Sequence, residues 1–173
     1  MKTAGKLLLA FLIMGFAGCA YHQVAEPLPL APALLAEVRG GGNIRFVNAQ
    51  PSTEDVEVGL AGLGRSLHGN LHQWTEAAIN LIQAALTTPP DSAGSSPARV
   101  VALSITRAEL SSAGGGWGFK CKVHLDVSID NNQALAFEGE RGSWRFSRVC
   151  DAAITEAVSN MLKNDSVRNY LTQ

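Results

Sequence analysis

The chain has 173 residues and carries 14 Lys and Arg against 15 Asp and Glu, a formal net charge of −1. Hydrophobic residues make up 46% of it, so the length and composition predict one domain with a substantial core. No stripe of basic residues runs through the sequence, which argues against nucleic acid as a partner.

The N-terminal segment has the organisation of a secretory signal. A lysine-containing start precedes eleven apolar residues, 7–17, whereas a membrane-spanning helix needs about 20. The run closes as Phe-Ala-Gly-Cys, which resembles the lipobox of bacterial lipoproteins. This pattern predicts that residues 1–18 are removed and that Cys19 receives the lipid. Ordinary secretion, with cleavage near Ala20 and no role for Cys19, is the alternative.

The lipoprotein interpretation fixes the charge and the compartment of the mature chain. Loss of Lys2 and Lys6 leaves 12 basic against 15 acidic residues in the 155 residues 19–173, a net charge of −3. Lipoprotein cysteines typically carry three acyl chains, and at about 0.8 kcal/mol per buried methylene such an anchor is effectively permanent. Ala20, rather than Asp, follows the cysteine. By resemblance to known sorting rules this implies the outer membrane, with the protein facing the periplasm.

Residues 19–42 are rich in proline and glycine. Three prolines, followed by three consecutive glycines, predict a tether that lifts the domain from the membrane. Four leucines in the same segment leave open that part of it lies against the domain or against a partner. The domain is expected to begin near Asn43.

The first half of the domain predicts a short strand, an extended segment and a helix. Residues 44–47 have strand character, and alternation within 53–64 predicts a second short strand or an extended loop. Apolar residues spaced four and three apart from Leu67 onward form one stripe of an amphipathic helix. Asn70, three residues before a glutamine, resembles a capping box, so regular helix is expected to begin there.

Three strands and a helix follow in the second half. The strands are predicted over 99–110, 119–129 and 134–142. The middle strand alternates strictly between apolar and polar residues, as in an antiparallel sheet with one dry and one wet face. Ser147 is a plausible N-cap for the last main helix, with Asp151 in its first turn. A short second helix is expected at the C-terminal end.

This order, β-α-β-β-β-α, indicates an α+β fold. We expect a two-layer sandwich, in which two main helices pack on one face of a mainly antiparallel sheet of about four strands. The predicted single domain spans 43–173.

Two cysteines lie within the predicted domain. Cys121 is on the dry face of its strand and Cys150 is on the inner face of the last helix, so both point into the same layer. In the oxidising periplasm a disulfide between them would persist. Closing a loop of about 30 residues would stabilise the domain by roughly 3–4 kcal/mol. Two buried free thiols are the alternative.

Few patterns in the chain suggest chemistry. His68, His72 and Glu76 would share a face of the predicted helix and form a weak metal-site candidate. They lack the glutamate beside the first histidine that metalloproteases use, and a solvated helix surface explains them as well. Glu138 and Glu140 face one side of a strand, where acid–base chemistry and cross-strand ion pairing with lysines are both open. We therefore expect no catalytic residues, no cofactor and no resident metal.

Aromatic residues stand at the predicted edges of strands and turns. Trp117, Phe119 and Trp144 are candidates for contact with a partner or a membrane. The alternative is that they cap the ends of the core. Trp117, which follows three glycines, is the better candidate for exposure.

Three segments of the second half have a familiar order and spacing: the strand 100–105, Gly-Glu-Arg-Gly-Ser-Trp at 139–144, and the final helical segment 157–171. With these segments, the chain resembles the YajG family of small bacterial lipoproteins over about residues 43–173. That family has no established enzymatic activity, so the resemblance implies a location and an architecture. A weaker resemblance links the chain to export lipoproteins of the PelC and CsgG groups, which have comparable α+β domains and can form rings.

Together these features predict a non-enzymatic, lipid-anchored envelope protein. It would act as an accessory, scaffold or binding module for an envelope protein or polymer. One alternative is a ring-forming homo-oligomeric subunit of an export or lipid-transport assembly. The other is a metal-dependent enzyme that uses His68 and His72.

Overall fold

The computed structural model describes residues 19–38, 44–61, 64–86, 99–113, 118–130 and 133–173. Within these ranges the strands are β1 (Ala20–Gln23), β2 (Ile44–Asn48), β3 (Asp55–Ala61), β4 (Arg65–Asn70), β5 (Arg99–Ser112), β6 (Phe119–Ile129) and β7 (Gln133–Ser143). The helices are α1 (Pro32–Val38), α2 (Leu71–Ala85), α3 (Asp151–Lys163) and α4 (Asp165–Thr172), with a 3₁₀ turn at Phe146–Arg148. The predicted α+β class is confirmed.

The larger sheet has four strands in the order β2-β5-β6-β7. Strand β2 pairs in parallel with β5, and the other neighbours are antiparallel. Every second residue of β6 is buried, because this face packs against the core: Cys121, Val123, Leu125, Val127 and Ile129. Helix α2 packs against β5, and α3 packs against β6 and β7. The expected order of one strand, a helix, three strands and a helix describes this sheet and its two helices, but β3 and β4 of a second sheet lie between β2 and α2 in the chain.

Helix α3 lies directly on β7 and covers its free edge. A Cβ atom on Gly139 would lie 2.0 Å from the carbonyl oxygen of Ala153, so only glycine permits this approach. The backbone NH of Glu140 donates to Glu156 Oε2 at 2.8 Å, and Asn160 Nδ2 donates to the carbonyl of Glu138 at 2.8 Å. Side chains of the helix thus use hydrogen-bonding groups that an edge strand would otherwise leave open to another chain.

The smaller sheet has three strands in the order β1-β4-β3 and differs from the sequence expectation. Leu67, taken as the beginning of the helical stripe, lies in β4 and is fully buried from there. The helix begins only after Asn70, whose side chain accepts from the backbone NH of Gln73 at 2.9 Å, as the capping box predicts. Because the strand leads into the helix without a loop, the spacing of apolar residues alone does not show where the strand ends and the helix begins.

Residues 19–38 lie against the domain, where a tether was the expectation. Strand β1 joins the smaller sheet in parallel with β4. Leu30, Leu34 and Val38 are buried in the core. Part of this segment thus packs on the domain, which was the alternative to a free tether. The domain therefore extends upstream of the expected boundary near residue 43.

The last main helix begins later than predicted. Residues Phe146–Arg148 form a separate 3₁₀ turn, so Ser147 is not the N-cap of α3. The N-cap position is Cys150, and Asp151 lies in the first turn as expected. The Phe146 ring packs on Phe119, which holds the turn against the sheet before the helix starts.

Candidate functional site

Cys19 is exposed and has a free thiol at the very start of the smaller sheet. Its carbonyl oxygen accepts a hydrogen bond from the backbone NH of Ser66 at 3.3 Å, and Ala20 is paired with Ser66 in the ladder between β1 and β4. The sulfur is thus accessible for acylation, whereas the backbone that carries it is already part of the fold.

The chain that follows Cys19 is fixed by a buried carboxylate. Asp151 is 2% exposed, and its Oδ1 accepts from Gln23 Nε2 and from the backbone NH of Glu26, both at 3.0 Å. Its Oδ2 pairs with Arg148 Nε at 2.5 Å. Because Asp151 is the first residue of α3, the helix dipole also favours its charge. We call Asp151 and Arg148, together with their partners Gln23 and Glu26, the N-terminal clamp.

Arg148 completes the clamp from the solvent side. Its guanidinium forms an ion pair with Glu26 at 2.6 Å and donates to the carbonyl of the same residue at 3.1 Å. The pKa of Arg148 is raised, mainly by its hydrogen bond with Asp151 and next by the electrostatic attraction of that carboxylate. On the other side, Trp74 Nε1 donates to the carbonyl of Gln23 at 3.0 Å in the core. The segment after Cys19 is therefore held by polar contacts from two helices.

Strand ends from both sheets meet around Cys19. In the smaller sheet, Leu60 near the end of β3 pairs with Ser66, which in turn pairs with Ala20. In the larger sheet, Phe119 at the start of β6 lies opposite Ser143 at the end of β7. Aromatic side chains join these two groups of strand ends. We call this pole of the molecule the Cys19 end.

Three aromatic rings connect the two sheets at the Cys19 end. The rings of Tyr21 and Phe146 have centroids 5.9 Å apart, and those of Phe146 and Phe119 are 4.9 Å apart in an edge-on arrangement. Phe119 is half-buried against the core, which fits a capping role better than exposure. Trp144 is 86% exposed and remains a contact candidate. The third candidate, Trp117, lies outside the described residues.

The predicted cysteine pair is bonded. Cys121 and Cys150 form a disulfide with Cα atoms 5.1 Å apart and a sequence separation of 29. Both residues are fully buried. The bond links β6 to the N-terminus of α3 and so fixes the helix residue that begins the N-terminal clamp.

The three candidate metal ligands are divided between two elements: His68 lies in β4, whereas His72 and Glu76 lie on α2. His68 is in β4 rather than on the helix, because Asn70 is the N-cap and the helix begins at Leu71. His72 Nδ1 lies 2.8 Å from the carbonyl oxygen of Gln50, and its Nε2 is 4.0 Å from Glu76. The expected common helix face is therefore wrong. Within the described ranges, no group of three such side chains is arranged to hold a metal ion.

Another histidine forms a contact that the sequence did not indicate. His22 Nδ1 lies 2.7 Å from Asp55 Oδ2, and the His22 ring stacks at 5.3 Å on the ring of His68. His68 Nε2 in turn lies 3.0 Å from Ser66 Oγ. These side chains, of which Ser66 and His68 are half-buried, tie β1 to the other strands of its sheet. The sequence does not predict these contacts, because His22 belongs to the segment that was expected to be a tether.

Glu138 and Glu140 are engaged in cross-strand ion pairs. Lys122 pairs with Glu138 at 2.7 Å, and Lys120 pairs with Glu140 at 2.6 Å. His124 lies 3.1 Å from the same Glu138 carboxylate. The hydrogen bond from Lys122 lowers the pKa of Glu138, and its counterpart raises the pKa of Lys122. Glu138 therefore favours the charged form, which suits ion pairing rather than proton donation.

A shallow hollow lies on the outer face of the larger sheet, away from the helices. Its volume is about 300 Å³, and small side chains such as Ala102, Ser104, Ser128 and Ala136 line it together with Asp126. It is seven or more residues along β6 from Phe119, which at about 3.3 Å per residue places it roughly 20 Å from the Cys19 end.

No protein-family model and no curated protein matches the chain. Among the helices described, none has the length and apolar character that crossing a membrane requires.

Proposed function

We propose that this chain is a lipid-anchored lipoprotein of the bacterial envelope, facing the periplasm. It would act there as a non-enzymatic accessory or binding module. The outer-membrane location and the YajG-like resemblance belong to the same proposal.

The observation that carries the proposal is the position of Cys19. Its thiol is exposed one residue before β1, so acyl chains attached there meet solvent or lipid rather than the core. The backbone after it is paired with β4 and held by Asp151. The buried Cys121–Cys150 bond supports the same compartment, because disulfides persist in the periplasm and are rare in reducing cytosol.

The non-enzymatic part is supported by the state of the candidate catalytic groups. The two carboxylates on β7 are paired with Lys120 and Lys122, and the low pKa of Glu138 makes it a poor proton donor near neutral pH. The histidines proposed as metal ligands lie on a strand and a helix, where His72 contacts a backbone carbonyl. Each of these side chains thus has a structural partner.

Cell fractionation tests the anchor. We expect Cys19→Ser to move the protein from the membrane to the soluble fraction, because the hydroxyl is not a substrate for lipoprotein acylation. The fold should be unchanged, since the side chain is exposed. Ala20→Ser is the matched control and should stay with the membrane. A Cys19→Ser protein that still sediments with the membrane would refute the anchor.

The hollow on the outer face is the surface that we propose for a protein partner. Its floor is mainly apolar and lies roughly 20 Å from the Cys19 end, so a partner could reach it beside a membrane. A photo-crosslinking amino acid at the position of Ala136 should give a discrete protein adduct in intact cells. The same amino acid at exposed Asn169 on α4 is the control. Identical adduct patterns from both positions, or none from Ala136, would sink this part.

A further inference from the structure

We propose that the Cys19 end rests directly on the lipid bilayer. The contact surface consists of Tyr21, Leu60 and Trp144, with Arg65 and Arg145 beside them, and we call it the seating surface. The inference depends on the proposed acylation of Cys19 and adds an orientation to it: the domain would be held against the membrane, with the outer-face hollow turned away from the Cys19 end.

The described chain has no slack after the position of the proposed lipid. Ala20 is already a ladder residue of β1, and only the side chain of Cys19 separates the sheet from its acyl chains. For residues 20–26 to become a free tether, the parallel β1–β4 pairing and the contacts of Asp151 with Gln23 and Glu26 would have to break. Acyl chains buried in the bilayer therefore bring the beginning of β1 to its surface.

Exposed apolar side chains lie at this pole. Trp144 is 86% exposed, Leu60 is 67% exposed and Tyr21 is 42% exposed. Tyr and Trp are the residues that favour the interface between lipid and water, because an apolar ring is joined to a polar group. Leu60 is connected to Cys19 through one intervening strand, so it lies about 10 Å away at the usual strand spacing.

Two positively charged side chains lie beside this apolar group. Arg65 begins β4 beside Cys19, and Arg145 lies between Trp144 and Phe146; both are exposed. Among the described residues neither arginine takes part in an ion pair, so both are available to lipid phosphates. Clusters of arginine and lysine at a membrane surface attract anionic headgroups. Two arginines would be too few alone, but they complement an anchor that already supplies the affinity.

A bilayer fits this surface better than a protein partner does. The acyl chains on Cys19 place lipid beside these side chains as soon as the protein is anchored, whereas a protein would have to displace that lipid. The surface is also a set of separate protrusions from strand ends rather than a groove. Such protrusions can enter the headgroup region without a complementary shape.

Tryptophan quenching by brominated lipid tests the inference. The acylated protein, purified from membranes, is reconstituted into vesicles of phosphatidylcholine and phosphatidylglycerol with bromine at shallow acyl positions. Trp144→Phe should remove a share of the quenching seen in the original protein. In the Trp144→Phe background, Leu60→Trp should restore quenching. Leu28→Trp should not, because Leu28 is exposed beside Thr155 on α3, away from the Cys19 end.

The outcomes separate the inference from the proposed function. If the purified protein carries no acyl chain on Cys19, both proposals fall. If it is acylated, but Trp144→Phe leaves the quenching unchanged or the tryptophans at 60 and 28 are quenched equally, the lipoprotein assignment stands and the seating surface is wrong. All three positions are exposed, so these variants keep the fold, which circular dichroism can verify.

Discussion

The two sheets of this protein are stabilised in different ways. The four-stranded sheet buries an unbroken apolar face, is crossed by helices and is bonded to α3 through Cys121–Cys150. The three-stranded sheet has short strands, and its first strand is held by polar contacts such as Asp151 with Gln23 and His22 with Asp55. The larger sheet is therefore held by apolar burial and a cross-link, whereas the smaller one determines where Cys19 lies.

Removal of the disulfide should produce the largest effect and should weaken the larger sheet. We expect Cys121→Ala combined with Cys150→Ala to lower the free energy of unfolding by roughly 3–4 kcal/mol, because the unfolded chain gains the freedom that the cross-link removes. Urea denaturation followed by circular dichroism measures this. Dithiothreitol should destabilise the original protein but not the double variant; an equal response of both would contradict the account.

A methyl group on Gly139 should disturb the contact between α3 and β7. The added Cβ would lie 2.0 Å from the carbonyl oxygen of Ala153, so the helix must move away from the strand. We expect Gly139→Ala to cost about 2–3 kcal/mol, as for overpacking of a well-filled core. Gly142→Ala on the same strand is the control, since its nearest neighbour, the carbonyl oxygen of Phe119, is 3.6 Å away. Urea midpoints that fall equally for both variants would refute the close-contact explanation.

Loss of Asp151 should act mainly on the smaller sheet. Asp151→Ala leaves the Gln23 amide and the Glu26 backbone NH without their buried acceptor, at a cost of about 1–3 kcal/mol. Amide hydrogen exchange should speed up in residues 20–28 and stay slow in β6. Asp165→Ala, which alters an 80% exposed side chain, is the control. An equal loss of protection from exchange in both sheets would contradict the claim that the N-terminal clamp stabilises only the smaller sheet.

Tyr170 should produce the smallest effect, visible only at high pH. Burial, aided by the Asp130 carboxylate 2.5 Å from the phenol oxygen, raises its pKa to about 12. The unfolded phenol ionises at about 10, so the free energy of unfolding should fall as pH rises from about 10 to 12. Tyr170→Phe should reduce that decline. Unfolding curves at about pH 9 and pH 11 test this, and parallel declines in both proteins would contradict it.

The sequence was most informative where one physical signal dominates. Alternation along residues 119–129 identified β6 and its buried face, and it placed Cys121 on the side where Cys150 lies. The cap at Asn70 was also readable, because a side-chain oxygen three residues before a free NH is a local pattern. These features depend on residues close together in the chain or on simple periodicity.

The remaining features depend on contacts between distant residues. Asp151 and Gln23 are 128 residues apart, so no local pattern predicts that the proline-rich segment will be held. Leu67 was assigned to a helix because a strand that runs directly into a helix has compatible apolar spacing at the junction. At the Cys19 end, acylation of Cys19 and the exposed Trp144 were expected, but the grouping with Tyr21 and Leu60 required the sheet order.

Mass spectrometry of the N-terminal tryptic peptide tests the central claim most directly. In protein extracted from membranes, that peptide should span residues 19–39 and carry a thioether-linked diacylglyceryl group on Cys19, together with an amide-linked acyl chain. A peptide that begins elsewhere, or an unmodified Cys19 in the membrane-associated protein, would contradict the account.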